Sequence, residues 1–303
     1  MSAPDLPGWA VDSKTYESSG LTLHYLDARR DQPAHHGRTL LAVHGLGAHG
    51  DSWLPTIRRL RSVDRVVAPD LRGHGRSDWT QEGYWLRNYA DDIVALVEHL
   101  QLEQVDLIGM SLGARVAMVL GTRLASRVRS VSLVDTGPEV TPESARQAQK
   151  FAPTDPGGTT RTDGFRDRDA LMSFLKTKWT GFAQEALDIR ADRLYRRNWV
   201  GRLVHRNDPE VSWYLGSAGL EEVDDMWKGL SDIPVPTLIL HASQSFLLDE
   251  PLCERMVAAL QYPVYRRVDV DHFMMHTAID TFSALIDEFL ESVRAGDPVP
   301  DHN

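Results

Sequence analysis

Gly109-Met110-Ser111-Leu112-Gly113 reads G-x-S-x-G, a pentad that can present a serine hydroxyl as a nucleophile. A sharp turn between a strand and a helix holds such a serine in a strained backbone conformation, with the hydroxyl exposed at the carboxyl edge of a sheet. Glycines two before and two after remove side chains that would collide in so tight a turn. The N–H groups at the start of the following helix favour negative charge developing there. A serine hydroxyl is too weakly acidic to attack unaided, so an imidazole must stand beside it to take the proton and return it. The bare pattern arises by chance in roughly one chain in ten of this length. Its context is therefore what gives it meaning. Here it follows the strand-like VDLI (Val105 to Ile108) and opens the helix-compatible LGARVAMVL.

The elements that must position this serine can be read on either side of it. Gly20 to Ala28 alternates apolar and polar, as a half-buried strand does. Thr39 to Val43, Arg65 to Leu71, Val105 to Ile108 and Val128 to Val134 are short apolar runs closed by turn residues, as buried parallel strands are. Between them Trp53, Ile57 and Leu60, then Tyr89, Ile93, Leu96 and Leu100, then Leu112 to Leu124, carry helical spacing. Strand and helix in alternation predict an α/β domain with a mostly parallel, doubly wound central sheet.

The rhythm stops after Asp135 and resumes at Val235 to His241, Pro263 to Val268 and a last amphipathic helix through Ile279, Phe282, Leu285, Phe289 and Val293. The intervening stretch has no strong strand and is rich in arginine and aromatics: Phe165, Phe174, Trp179, Phe182, Tyr195, Trp199, Trp213, Tyr214 and Trp227. Helices are expected over Ala170 to Lys178 and Glu185 to Arg197, and a mobile loop over Gly157 to Gly164. The organisation expected is a core in two parts, residues 1–137 and 231–303, interrupted by a helical cap over residues 138–230.

Several motifs together resemble the α/β-hydrolase superfamily: His44-Gly45-Leu46-Gly47, then Asp70-Leu71-Arg72-Gly73-His74-Gly75-Arg76-Ser77-Asp78, then the Ser111 turn. Asp225-Met226-Trp227 through Ile233-Pro234-Val235-Pro236-Thr237-Leu238 resembles the family's entry into its late strand, and Val270-Asp271-His272-Phe273 its histidine loop. The resemblance spans about residues 15 to 295 and leaves only the cap unmatched. It implies that Ser111 is the nucleophile and His272 its base, with His276 as the rival. It also implies an oxyanion hole from the backbone N–H groups of Leu46 and Leu112. His44 reads as a brace for its loop, and Asp70, Arg72, His74 and Asp78 as a hydrogen-bonded turn.

The acid of the triad is irregular. The family's usual aspartate would fall on Ser245 or Phe246, and neither can act as a carboxylate. Some members place the acid about 24 residues beyond the nucleophile instead, and Asp135 stands there. Asp249, a few residues past the usual position, reads as the start of a helix. Three alternatives stay open: Asp135, Asp249, or no true acid.

Composition narrows the partners. A formal charge of −10 disfavours nucleic acid and anionic membranes. The lone cysteine, Cys253, excludes an intrachain disulfide. The start of the chain lacks a basic, apolar leader, and no run reaches the roughly 18 apolar residues of a membrane span, so a cytoplasmic protein is expected. No metal site, cofactor motif or internal repeat is read. The expected activity is hydrolysis of an ester, lactone or related acyl bond of a small, partly apolar substrate through an acyl-enzyme, by a monomer or homodimer. The alternatives are a non-hydrolytic or carbon–carbon bond-cleaving enzyme using His272 as base, and a binding protein that has lost the chemistry.

Overall fold

The computed structural model describes residues 6–33, 37–81, 83–139, 141–150, 164–212 and 222–294. The loop expected before Gly164, the aromatics Trp213 and Tyr214, and both chain ends lie outside the described residues.

Ten strands are described among these residues. They are β1 (Trp9–Ser18), β2 (Leu21–Arg30), β3 (Thr39–Val43), β4 (Arg65–Pro69), β5 (Val105–Met110), β6 (Val128–Val134), β7 (Tyr195–Arg197), β8 (Leu203–His205), β9 (Thr237–Gln244) and β10 (Pro263–Asp271). The helices are α1 (Leu54–Arg59), α2 (Leu86–His99), α3 (Leu112–Arg123), α4 (Pro142–Gln149), α5 (Arg168–Lys178), α6 (Gln184–Arg193), α7 (Val223–Ser231), α8 (Glu250–Ala259), α9 (Met274–Thr277) and α10 (Ile279–Arg294). Eight strands form one sheet in the order β1-β2-β4-β3-β5-β6-β9-β10, parallel except for the β1–β2 and β2–β4 pairings.

Every residue of β3 and β5 is buried, which is why both read as unbroken apolar runs. Alternate side chains feed two apolar layers. Leu41, Val43, Leu107, Leu133 and Ile239 pack towards α2, α3, α7 and α8. Leu40, Ala42, Ile108, Val134 and Leu238 pack towards α1 and α10. The chain runs from β3 to β4 on one side, then crosses back to β5 on the other. Such a reversal opens a crevice at the carboxyl ends of the two central strands, the usual place for a ligand in an open α/β sheet.

The segment between β6 and β9 holds α4 to α7 and the β7–β8 hairpin. Leu171, Leu175, Trp179, Phe182, Leu187, Leu194 and Tyr195 form their own apolar cluster, with Phe273 of the core packed against it. Helix α7 packs on the core side, where Met226 and Leu230 join the layer that includes α3. The helix expected as far as Arg197 stops at Arg193, because Tyr195–Arg197 pairs with Leu203–His205. Strand β1 was not anticipated: much of it is exposed, so it carries little apolar signal.

Candidate active site

Ser111 sits between the last residue of β5 and the first of α3, with φ 53° and ψ −117°. Non-glycine residues reach that region only where the surroundings over-determine it, at a cost on the order of 1–3 kcal/mol. The surroundings here are tight. A Cβ on Gly109 would stand 2.1 Å from the Gly113 carbonyl oxygen, and one on Gly113 would stand 2.2 Å from the Val43 carbonyl oxygen. The pentad's glycines are therefore demanded by close backbone approach. The Ser111 amide donates to the Val134 carbonyl at 3.0 Å, tying the turn to the end of the next strand.

The residue after Val134 is Asp135, fully buried and also at positive φ, 50°. Its amide donates to the Leu240 carbonyl at 2.8 Å. One carboxylate oxygen, Oδ1, accepts the Ala242 N–H at 2.8 Å. The other, Oδ2, lies 2.7 Å from Nδ1 of His272. His272 is buried in the loop after β10. With its Nδ1 proton donated to a carboxylate, the ring keeps a lone pair on Nε2, the form a general base requires. Arg115, one turn into α3, holds the loop beyond Asp135 through the carbonyls of Gly137 and Pro138, at 3.2 and 3.0 Å.

The alternatives to this pair are occupied elsewhere. Asp249 caps α8, its side chain accepting from the Leu252 amide at 2.8 Å. Ser245 Oγ accepts from the amides of Leu247 and Leu248, at 3.1 and 3.0 Å. Phe246 packs its ring against the His272 imidazole, with centroids 4.6 Å apart. Phe246, one of the two residues on which the family's usual acid was expected to fall, thus packs on the imidazole instead of pairing with it. His276 stacks on Phe182 at 4.7 Å.

The loop after β3 passes directly under the serine: a Cβ on Gly45 would lie 3.3 Å from Ser111 Cβ. Leu46 follows it, partly exposed, as Ser111 is, in an otherwise buried loop. Among the described residues, neither the Leu46 nor the Leu112 amide meets an acceptor. Two free N–H groups beside a serine suit an oxyanion.

His44 braces this loop. Its Nδ1–H donates to the Gly45 carbonyl at 2.7 Å, and its Nε2 accepts the Leu71 amide at 3.0 Å. His74 donates from Nδ1 to the Arg72 carbonyl at 3.0 Å. Burial, and then the field of His74, pushes His44 down to about 3; burial pushes His74 down to about 4. Both rings are kept uncharged in the fold but take protons near pH 6.5 when unfolded. Their contribution is whole above about 6.5 and is lost as pH falls towards 4, at about 1.4 kcal/mol per pH unit for each ring. From these two rings alone the urea-unfolding free energy is expected to drop by at least about 4 kcal/mol between pH 7.5 and 5.0, and His205 and His276, which are also held below their ordinary range, deepen the drop. An unchanged or rising value over that interval would contradict these assignments.

Asp70 is the hub of the turn that follows β4. It accepts the amides of Gly50 and Arg76 at 2.6 and 2.8 Å, and pairs with His24 Nδ1 at 2.9 Å. Burial, the largest influence, pushes its carboxyl up, but the charge and hydrogen bond of His24 and the fields of His49 and His44 together leave it well below the usual carboxylate range. Arg72 forks onto Asp92 at 2.6 and 2.8 Å, and Asp78 accepts the Thr22 amide at 2.8 Å. These residues hold the turn together. His49, Asp51 and Asp70 do bring potential ligand atoms within 4.8 Å of one another, a cluster not anticipated from spacing. Its carboxylates are already engaged, Asp51 by His49 at 3.3 Å and Arg76 at 3.2 Å.

Comparison with known proteins matches residues 38–278 to the alpha/beta hydrolase fold family. The chain belongs to the α/β-hydrolase family. A 3-hydroxybutyrate-oligomer hydrolase of Cupriavidus necator is 36% identical over 73% of this chain and 77% of that protein. A 2-(acetamidomethylene)succinate hydrolase of Mesorhizobium japonicum is 31% identical over 84% of this chain and 89% of that protein. The crystal structure of an E-2-(acetamidomethylene)succinate hydrolase superposes with a TM-score of 0.78, covering 93% of this chain and all of that one, at 23% identity. This α/β-hydrolase is accordingly an enzyme. Among its described residues no helix is long and apolar enough to cross a membrane.

Some buried groups near this α/β-hydrolase's candidate site carried no sequence signal. Phe246 was noticed only as a missing acid. Arg190, on α6, is buried over the indole of Trp179, 4.4 Å from the ring centroid. His205, on β8, is buried as well. In sequence both sit in a polar, arginine-rich stretch that reads as surface.

Proposed function

We propose that this enzyme hydrolyses an ester, lactone or related acyl bond of a small substrate through an acyl-enzyme on Ser111. The observation that carries the reading is the bond between His272 Nδ1 and Asp135 Oδ2, at 2.7 Å, set beside the strained Ser111 turn. His272 Nε2 takes the serine proton as Ser111 Oγ attacks the acyl carbon. Asp135 stabilises the imidazolium that forms. The Leu46 and Leu112 amides receive the oxyanion. The imidazolium then returns its proton to the leaving oxygen, and water releases the acyl group by the same steps in reverse order.

The segment between β6 and β9 acts in this reading as a cap, since its apolar cluster reaches Phe273, the residue after the base. Trp179 meets Phe273 at 5.3 Å, giving the acyl portion an apolar wall. Two relatives named for hydrolysis of a hydroxybutyrate oligomer and of a succinate derivative support a small acyl substrate.

Pre-steady-state kinetics on p-nitrophenyl esters test the covalent step. A burst of nitrophenolate equal to the enzyme concentration, followed by slower turnover, is expected wherever deacylation limits. Turnover trapped by hydroxylamine as a hydroxamate confirms acyl transfer. Hydrolysis with neither burst nor trapping on any ester would contradict an acyl-enzyme.

A further inference from the structure

We propose that Phe246 is a positioning residue for the base: held by the turn after β9, its ring fixes the plane of the His272 imidazole and keeps water from the bond between Nδ1 and Asp135. This rests on the reading of His272 as the base of an acyl hydrolase and says how the same site keeps that base aligned.

The need for such a residue follows from how little else holds the imidazole. Among the described residues the His272 ring makes one hydrogen bond, from Nδ1 to Asp135 Oδ2 at 2.7 Å. One hydrogen bond fixes an atom of a ring but not its plane, and rotation about it would turn Nε2 away from the serine proton it is to take. The loop's backbone is held separately. Asp271 Oδ1 accepts the Phe273 amide at 2.8 Å and the Thr277 hydroxyl at 3.0 Å, and neither bond touches the imidazole. Two phenyl rings flank it instead. Phe273 meets it at 5.1 Å with the planes 77° apart, and Phe246 comes closer, at 4.6 Å with 56° between the planes. Ring centroids so close are in van der Waals contact, which limits how far the imidazole can turn.

The two rings are supported differently. Phe273 also packs on Trp179 and Phe182 of the segment between β6 and β9, at 5.3 and 5.6 Å. Phe246 stands on a turn tied into the core. The Ser245 amide donates to the Ala242 carbonyl at 3.0 Å. Ser245 Oγ accepts the Leu247 and Leu248 amides at 3.1 and 3.0 Å, drawing the chain back around Phe246. Buried His241, on β9, closes the turn. Its Nε2–H donates to the Leu248 carbonyl at 3.1 Å, which leaves Nδ1 to accept the hydroxyl of Tyr265, on β10, at 2.9 Å. At the start of the turn the Ala242 amide donates to Asp135 Oδ1 at 2.8 Å. One turn therefore holds the acid through a backbone N–H and the base through an aromatic ring.

The chemistry of the pair says why the contact matters. His272 is 4% exposed and Asp135 is fully buried. A hydrogen bond to a carboxylate is stronger where water does not compete for its atoms. Phe246 is half-buried, with its ring on the imidazole. A polar side chain there would compete for Nδ1 or for the carboxylate, whereas a phenyl ring offers neither donor nor acceptor and leaves that bond undivided. The ring acts through alignment, so it bears on the step in which the serine loses its proton rather than on how substrate is held. A misplacement of about 1 Å in a reacting group can cost about a hundredfold in rate.

The test reads the pair directly by proton NMR. A histidine Nδ1 proton bonded to a carboxylate resonates far downfield of the amides, and its loss in His272→Ala assigns it. In Phe246→Ala this proton should exchange with water at least about tenfold faster than in wild type. On p-nitrophenyl esters kcat should fall about 10- to 100-fold, with KM within about twofold of wild type. Phe246→Tyr, which keeps the ring, should restore most of both properties. Should Phe246→Ala not fold, Phe246→Leu, which keeps apolar bulk without a flat ring, decides by the same two readouts and is expected to move both in the same direction. A KM that rises while kcat is unchanged, a proton that exchanges equally fast with and without the ring, or a Phe246→Tyr enzyme as slow as Phe246→Ala overturns the proposal. If His272→Ala keeps wild-type ester hydrolysis, the base assignment fails separately, and proton exchange at His272 in the Phe246 variants still decides whether the ring holds the pair.

Discussion

Ser111→Ala is expected to lower kcat on any accepted ester by about 10⁴-fold or more, while the protein remains folded. The magnitude follows from what is removed. The turn is built by backbone approach at Gly109 and Gly113 and by the amide bond from Ser111 to Val134, none of which uses the hydroxyl. Alanine therefore keeps the strained φ of 53°, and melting should show little change. Relief of that strain has no route, because the side chain is not its cause. What disappears, on the proposed mechanism, is the route to an acyl-enzyme. The residual rate is what the oxyanion amides and binding provide over water. A parallel loss of folding would show that the hydroxyl has a structural role not evident in its contacts.

Asp135→Asn should cost about 10⁴-fold in kcat with the fold intact. The two oxygens of Asp135 have separate partners, and this decides how an asparagine would sit. Its carbonyl oxygen would stay on the Ala242 amide, which can only donate. Its NH₂ would then face His272 Nδ1, now 2.7 Å from a carboxylate oxygen. Nδ1 would have to accept, which drives the ring proton onto Nε2, where it blocks removal of the serine proton. The imidazole would be held in place but in the wrong tautomer. Asp249→Ala is the control: it removes the cap of α8, at about 1 kcal/mol, and should leave kcat near the wild-type value. The reverse outcome, a large rate loss at Asp249 and a small one at Asp135, would move the acid to the other residue.

Why Asp135 could be placed beside Ser111 from sequence is physical. Strand neighbours in a parallel sheet bring their carboxyl ends together, and Met110 and Val134 are register partners. The residues that follow them, Ser111 and Asp135, must therefore lie side by side. The strands themselves were legible where both faces are buried, as in β3 and β5, since burial leaves an unbroken apolar run. β1 lies at the sheet's edge and its apolar residues are sparse, so its pairing with β2 decides its structure more than its composition does. The β7–β8 hairpin has three residues in each strand, too few for alternation to register.

The buried groups around the candidate triad were harder to read, for a related reason. Arg190 has the helix spacing and charge of a solvent-facing residue, and only the docking of α6 over the loop after β3 makes it buried. His205 becomes a donor because of a backbone amide two residues on, a local fact, but its burial depends on distant elements. Phe246 replaces a carboxylate, and a sequence pattern can show that loss without showing the ring packed on His272.

The nucleophile itself can be observed directly. A fluorophosphonate probe added to the intact enzyme, with the labelled peptide located by mass spectrometry, should place one phosphonyl group on Ser111, and excess ester substrate should slow the labelling. An enzyme that turns over esters yet leaves Ser111 unmodified, or carries the label on another residue, would contradict serine catalysis at this turn.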